Sequence, residues 1–153
     1  MGASQQFCTF FLDGHVFGTP VPKVQEVILH QEMTRVPLAP DVVRGLINLR
    51  GQIVSAIDLR RRLGLPERPK GQLPMNVVVR TDDGAVSLLV DEIGDVIEVE
   101  EEALERPPEI LQGFPREVVS GVYKLSGRLL LALDIDRVVD LSDLKAPDGN
   151  REF

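Results

Sequence analysis

The chain has 153 residues, 43% hydrophobic and 27% charged, with a formal net charge of -7 and one cysteine. This is the composition of a soluble globular protein, one domain or two very small ones sharing a core, and not of a disordered chain. The acidic balance argues against nucleic-acid binding, no apolar run reaches the roughly 18 residues of a membrane span, and Cys8 alone can form no internal disulfide.

In chain order, Gln6 to Leu12 reads as a strand, with Asp13-Gly14 as its turn, and Val16 to Val21 as a second strand. Val24 to Leu29 continues the β character, and Pro37 and Pro40 bracket a loop. Asp41 to Arg44 reads as one helical turn before Gly45. Leu46 to Leu49 and Gln52 to Ile57 form a hairpin around Arg50-Gly51, after which Asp58 caps a short helix, Leu59 to Leu63, that Gly64 ends. Beyond a polar connection, Met75 to Arg80 and Ala85 to Val90 form a hairpin around Asp82-Asp83-Gly84, and Val96 to Val99 is another strand. Residues 100–113 are a charged, proline-broken connection. Val118 to Leu125 and Arg128 to Leu133 pair around Ser126-Gly127, and a helix runs from Asp134 to about Leu141. Many short strands with Gly and Pro turns, and no regular crossover helices, predict an all-β fold of small barrels.

Sliding the chain by 76 positions reveals a repeat: Gly45 falls on Gly121, Leu49 on Leu125, Gly51 on Gly127, Ala56 on Ala132 and Asp58 on Asp134. Two copies of one β unit, roughly 15–66 and 75–141, are expected to pack as linked small barrels sharing a core. The repeat also sorts scaffold from function. Gly51 and Gly127 are expected at positive φ in their turns, and Asp58 and Asp134 as helix caps. Arg50 faces Ser126 in the second copy, so the turn does not demand an arginine. A guanidinium at a hairpin tip offers a rigid fork for a carboxylate or carbonyl, whereas a solvated turn arginine is the plainer alternative.

Little in the chain looks catalytic. Cys8 and His15 make a weak metal pair without further ligands, and a Cys–His nucleophile lacks an orienting group. Asp82-Asp83-Gly84 lacks the spacing of a calcium loop, and Asp91, Glu92 and Asp95 are ordinary in a chain with 24 acidic residues. Arg60, Arg61 and Arg62 read as the dressing of a helix. No catalytic residue, metal or cofactor is assigned, although a small metal protein or enzyme using His15, Cys8 and the acids stands as the alternative of another class. Binding is the expected trade, with Glu26 beside an apolar strip and Arg50 as the polar and apolar parts of a groove.

These same residues carry a resemblance. The runs VPKVQEVI (21–28) and VRGLINLRGQIVSAIDLRRRLGL (43–65), with VDEIGDVIEV (90–99) and VSGVYKLSGRLLLALDIDRVV (119–139), closely resemble the CheW family of chemotaxis coupling proteins from Phe7 to Leu141. The resemblance implies one domain over 5–143, built as two five-stranded SH3-like barrels around a shared core, with the N-terminal strand a candidate for exchange between them and 144–153 a flexible tail. It implies a non-catalytic adaptor joining the cytoplasmic tips of methyl-accepting chemotaxis receptors to the regulatory domain of a CheA-like histidine kinase. Such a protein would be cytoplasmic and recruited to receptor arrays, with no membrane insertion of its own. By motif, receptor contact falls on Val24, Glu26 and Arg50. The kinase-facing surface is expected on the first barrel, at Leu46, Ile47, Ile53 and Val54. An adaptor of the same fold in a parallel receptor–kinase pathway, for surface motility or development, is the alternative. Ser55-Ala56 stands where the family often has a bulkier pair.

Overall fold

The computed structural model describes residues 3–105 and 116–142. Ten strands and two short helices follow in order: β1 (Ser4–Leu12), β2 (His15–Pro20), β3 (Val24–Ile28), β4 (Val43–Leu49), β5 (Gln52–Asp58), α1 (Leu59–Arg62), β6 (Met75–Thr81), β7 (Gly84–Val90), β8 (Glu92–Glu100), β9 (Val119–Leu125), β10 (Arg128–Leu133) and α2 (Ile135–Val138). They form two five-stranded sheets, ordered β3-β6-β7-β5-β4 and β8-β1-β2-β10-β9.

The two orders are the same pattern written twice, with one exchange. The repeat unit is a hairpin, three strands and a helix. The hairpin β6–β7 lies in the sheet built from β3, β4 and β5, while β1–β2 lies in the sheet built from β8, β9 and β10. Each hairpin joins its host through a parallel pair, β5 with β7 and β10 with β2. The sheets therefore do not follow the sequence limits of 15–66 and 75–141, and a whole hairpin is exchanged in each direction rather than one N-terminal strand. The short links dictate this: Val21–Lys23 alone join β2 to β3, and Asp91 alone joins β7 to β8. Neither link is long enough to return its hairpin to the sheet that follows.

Each sheet is closed by the segment leaving its outer strand. Thr34 bridges to Leu46 on β4, and Glu105 bridges to Val122 on β9. Both crossings pass over a repeat-related glycine. A Cβ on Gly45 would sit 2.6 Å from the Thr34 carbonyl oxygen, and one on Gly121 would sit 2.8 Å from the Glu105 oxygen while striking the Leu104 side chain. Close approach of backbone, not positive φ, is what requires glycine here.

The central core is shared. Phe10, Leu12 and Phe17 of one sheet pack with Ile57, Val77, Val79 and Leu88 of the other, alongside Leu59 and Leu63 of the α1 region. Each fully buried side chain of this kind stabilises by roughly 1.5–3 kcal/mol. Smaller clusters fill each barrel: Ile47, Leu49, Val54, Ala56, Val78 and Leu89 in the first, and Phe7, Val16, Tyr123, Leu130 and Ala132 in the second.

Three sequence expectations change. Residues 41–42 form a turn and β4 begins at Val43, so no helical turn stands at Asp41 to Arg44. β8 is nine residues long, not four; its acids Glu92, Asp95, Glu98 and Glu100 face solvent while Ile93, Ile97 and Val99 turn inward, and the charges mask the strand in the sequence. α2 stops at Val138 rather than near Leu141: the Asp140 amide bonds the Arg137 carbonyl at 3.3 Å in a tighter turn, and beyond it the Asp140 carboxylate accepts from the Ser142 amide at 3.0 Å. The parts of the 100–113 connection beyond residue 105, and the tail from 143, lie outside the described residues.

Candidate docking surface and the charged junction behind it

The hairpin β4–β5 turns through two residues of positive φ, Arg50 at 52° and Gly51 at 87°, with the Gly51 amide donating to Asn48 Oδ1 at 2.8 Å. This primed geometry matches the twist of paired strands, but its first position favours asparagine or glycine. An arginine there bears a backbone cost of about 1–2 kcal/mol. Its side chain shows what is gained. Arg50 Nη1 donates to Glu26 Oε2 at 2.8 Å and Nη2 to Oε1 at 2.5 Å, a bidentate pair. The guanidinium is 68% exposed and the carboxylate 20%.

The pair joins β3 to the tip of β4–β5, elements at opposite edges of their sheet. Val24 is partly buried against the central core, whereas Val27 and Ile53 are 44% and 61% exposed. Ile53, in the same hairpin as Arg50, sets a bare aliphatic side chain near the charged pair, a mixture suited to docking. Val27, next to Glu26 on β3, points to the other face of that strand. Of the residues expected to face the kinase, Leu46 is half-buried and Ile53 is exposed, but Ile47 and Val54 are each 1% exposed. Strand alternation explains the correction: Ile47 and Val54 are paired across the ladder and both point into the barrel.

The scaffold residues fall where their chemistry suits them. Asp58 accepts from the Arg60 amide at 3.0 Å and Asp134 from the Arg137 amide at 3.4 Å, each at the start of its helix. Gly51 and Gly127 have φ of 87° and 78°. Gly64 ends α1 at φ 73°, its amide and that of Leu65 bonding back to Arg61 and Arg60.

The three consecutive arginines do not simply dress a helix. Arg60 is buried and reaches Asp91 through Nε at 2.9 Å and Nη2 at 2.5 Å, while Arg68 Nε donates to the same carboxylate at 3.0 Å. The Asp13 amide, from the exchanged hairpin, donates to Asp91 Oδ2 at 2.9 Å. Arg62 reaches the carbonyls closing α2, at Val138 (2.8 Å) and Arg137 (3.0 Å), and Arg61 turns outward to Glu67 at 2.8 Å. Burial alone would push the Asp91 carboxyl up, but hydrogen bonds from Arg60, the Asp13 amide and Arg68 outweigh it and hold the group below its ordinary value. This junction fastens the sheets to each other. The sequence marks it only by a buried acid among exposed ones, a signal that a single sequence cannot resolve.

Cys8 and His15 are held apart: Cys8 is opposite Thr19 and His15 opposite Leu12, at different ends of the same hairpin. Burial pushes the Cys8 thiol up, away from thiolate reactivity. Asp82 and Asp83 occupy the two-residue turn between paired Thr81 and Gly84. Among the described residues no group of three or more His, Cys, Asp and Glu is arranged to hold a metal ion, and no helix is long and apolar enough to cross a membrane.

Residues 6–143 match the model of the CheW-like domain. The chain belongs to that family. It is 33% identical over 136 residues to the chemotaxis protein CheW of Bacillus subtilis, spanning 89% of this chain and 87% of that one. It is 29% identical over 144 residues to CheW of Treponema pallidum, spanning 92% and 85%. The crystal structure of the scaffolding protein TtCheW from Thermoanaerobacter tengcongensis superposes with a TM-score of 0.83 at 25% identity, covering 95% of this chain and 94% of that one. The double SH3-like barrel is the CheW-like architecture, and the coarse role that comes with membership is that of a non-catalytic adaptor in chemotaxis signalling.

Proposed function

We propose that the protein is a cytoplasmic adaptor with two protein-binding surfaces, coupling the tips of methyl-accepting chemoreceptors to the regulatory domain of a CheA-like histidine kinase within receptor arrays. Val24, Glu26 and Arg50 form the receptor side, and the half-buried Leu46 and the exposed Ile53 of β4–β5 contribute to the kinase side. The observation carrying this reading is the Glu26–Arg50 pair, held at a turn position that arginine occupies at a backbone cost, with the exposed Ile53 in the same hairpin. A regulatory domain of the same architecture is a natural partner, since two small barrels can meet edge to edge.

Calorimetry of the purified protein with the regulatory domain of its organism's CheA-like kinase tests the kinase side. Micromolar or tighter binding is expected, weakened at least tenfold by Ile53→Asp. Absence of binding to every such kinase in the organism overturns the assignment while leaving the fold untouched.

A further inference from the structure

A second surface lies at the other end of β4. Arg44, near its start, and Arg50, just past its end, are six residues apart in sequence, or about 20 Å along an extended strand. Around Arg44 opens a groove of about 610 Å³ beneath the turn at residues 36–39, continuing into a neighbouring hollow past Arg35 and Arg61. Its apolar lining includes Met33 and Val36.

Two features set this groove apart in an acidic protein. Three arginines line it against Asp41, with Glu67 lining the hollow beyond. Arg44 spends one nitrogen on Asp58 and Arg61 is turned toward Glu67 and the Asp41 carbonyl, while Arg35 is exposed and makes no ion pair or hydrogen bond among the described residues. The second feature is the turn itself. The Ala39 amide closes on the Val36 carbonyl, with Pro37 at the first corner and Leu38 at the second at φ 70°. That corner favours glycine. Leucine is there instead, 52% exposed at the lip of a cationic groove and fixed between two prolines. Leu38 belongs to none of the buried clusters, so core packing does not account for an apolar side chain on strained backbone at this place.

We propose that this groove docks an acidic segment of a partner protein, one carrying a carboxylate-rich face for Arg35, Arg44 and Arg61 and an apolar side chain that packs on Leu38. Arginine forks suit carboxylates, and charge opposite to the rest of the surface selects such a segment over the chain's own acidic exterior. The proposal does not depend on which side of the protein meets receptor or kinase.

The test uses the full chain, labelled for amide NMR, and three synthetic 14-residue helical peptides with leucines along one face. One carries glutamates beside the leucines, one carries glutamines and one carries lysines in their place. The acidic peptide is expected to shift amides in residues 33–44 and 59–64 saturably, at submillimolar concentration, with the other two at least tenfold weaker. Arg35→Glu should weaken the acidic peptide at least tenfold. Leu38→Gly should leave thermal stability unchanged or raised, yet weaken the peptide at least threefold. Equal binding of the glutamine or lysine peptide, shifts centred elsewhere, no shift with any peptide, or undiminished binding by either variant overturns the proposal.

Discussion

At the scale of single residues, the repeat separates two kinds of conserved geometry. Gly45 and Gly121 are required because backbone crosses them, whereas Gly51 and Gly127 have open space and only a positive φ to satisfy. Gly45→Ala is therefore expected to cost more than Gly51→Ala: roughly 3 kcal/mol or above for displacing a bridging strand, against about 1–2 kcal/mol for a left-handed backbone. Urea unfolding of both variants checks the order, and an equal or reversed loss contradicts it. Arg50 is the opposite case. Its exposed pair with Glu26 stabilises by at most about 1 kcal/mol, so Arg50→Ala should unfold nearly as the parent does. A loss above about 2 kcal/mol would make Arg50 structural. The comparison with Ser126 already identifies Arg50 as something the turn does not need, but its partner and its own positive φ emerge only once β3 and β4–β5 are brought together in space.

Between elements, the junction at Asp91 is the most demanding contact. Removing this carboxylate takes from Arg60 and Arg68, both with side chains at most 6% exposed, the buried counter-charge they share, and leaves Arg68 only the more distant Asp58 carboxylate at 3.7 Å. Asp91→Asn should then destabilise by about 3–5 kcal/mol, as breaking one side of a buried pair does. The same contact sets a pH dependence. The folded Asp91 carboxyl lies below its ordinary 3.8, so its contribution is complete above that value and is lost as pH falls through the lower, folded value. Acid unfolding followed by circular dichroism should show the parent losing stability below about pH 4, and Asp91→Asn losing less over the same range. Identical acid limbs would contradict this role. Hairpins, caps and turns are legible in the sequence because their signals are local. β8 is hidden by its outward acids, and the junction joins Asp13, Arg60, Arg68 and Asp91, which no local pattern connects.

For the whole molecule, the reciprocal exchange means that neither half holds a complete sheet. The exposed connection at 70–73 links the repeats without belonging to either sheet. A chain cut between Lys70 and Gly71 should stay together in native gel filtration, because each piece supplies a hairpin to the other's sheet. Either piece alone should show no cooperative unfolding; separation of the pieces, or a piece that folds alone, would contradict the exchange. The duplication and the all-β class are visible in the sequence through the 76-residue offset. Which hairpin sits in which sheet is not, since the spacing is the same either way and the links of three residues and one residue decide it.

The central claim is that one small scaffold carries separable partner surfaces. It is tested most directly by co-sedimentation of the protein with both a receptor cytoplasmic fragment and the kinase regulatory domain, comparing the parent with Arg50→Ala. The account predicts a ternary complex for the parent, and for Arg50→Ala an intact complex with the kinase domain from which the receptor fragment is lost. Retention of the receptor by Arg50→Ala, or loss of both partners from a variant that remains folded, would contradict it.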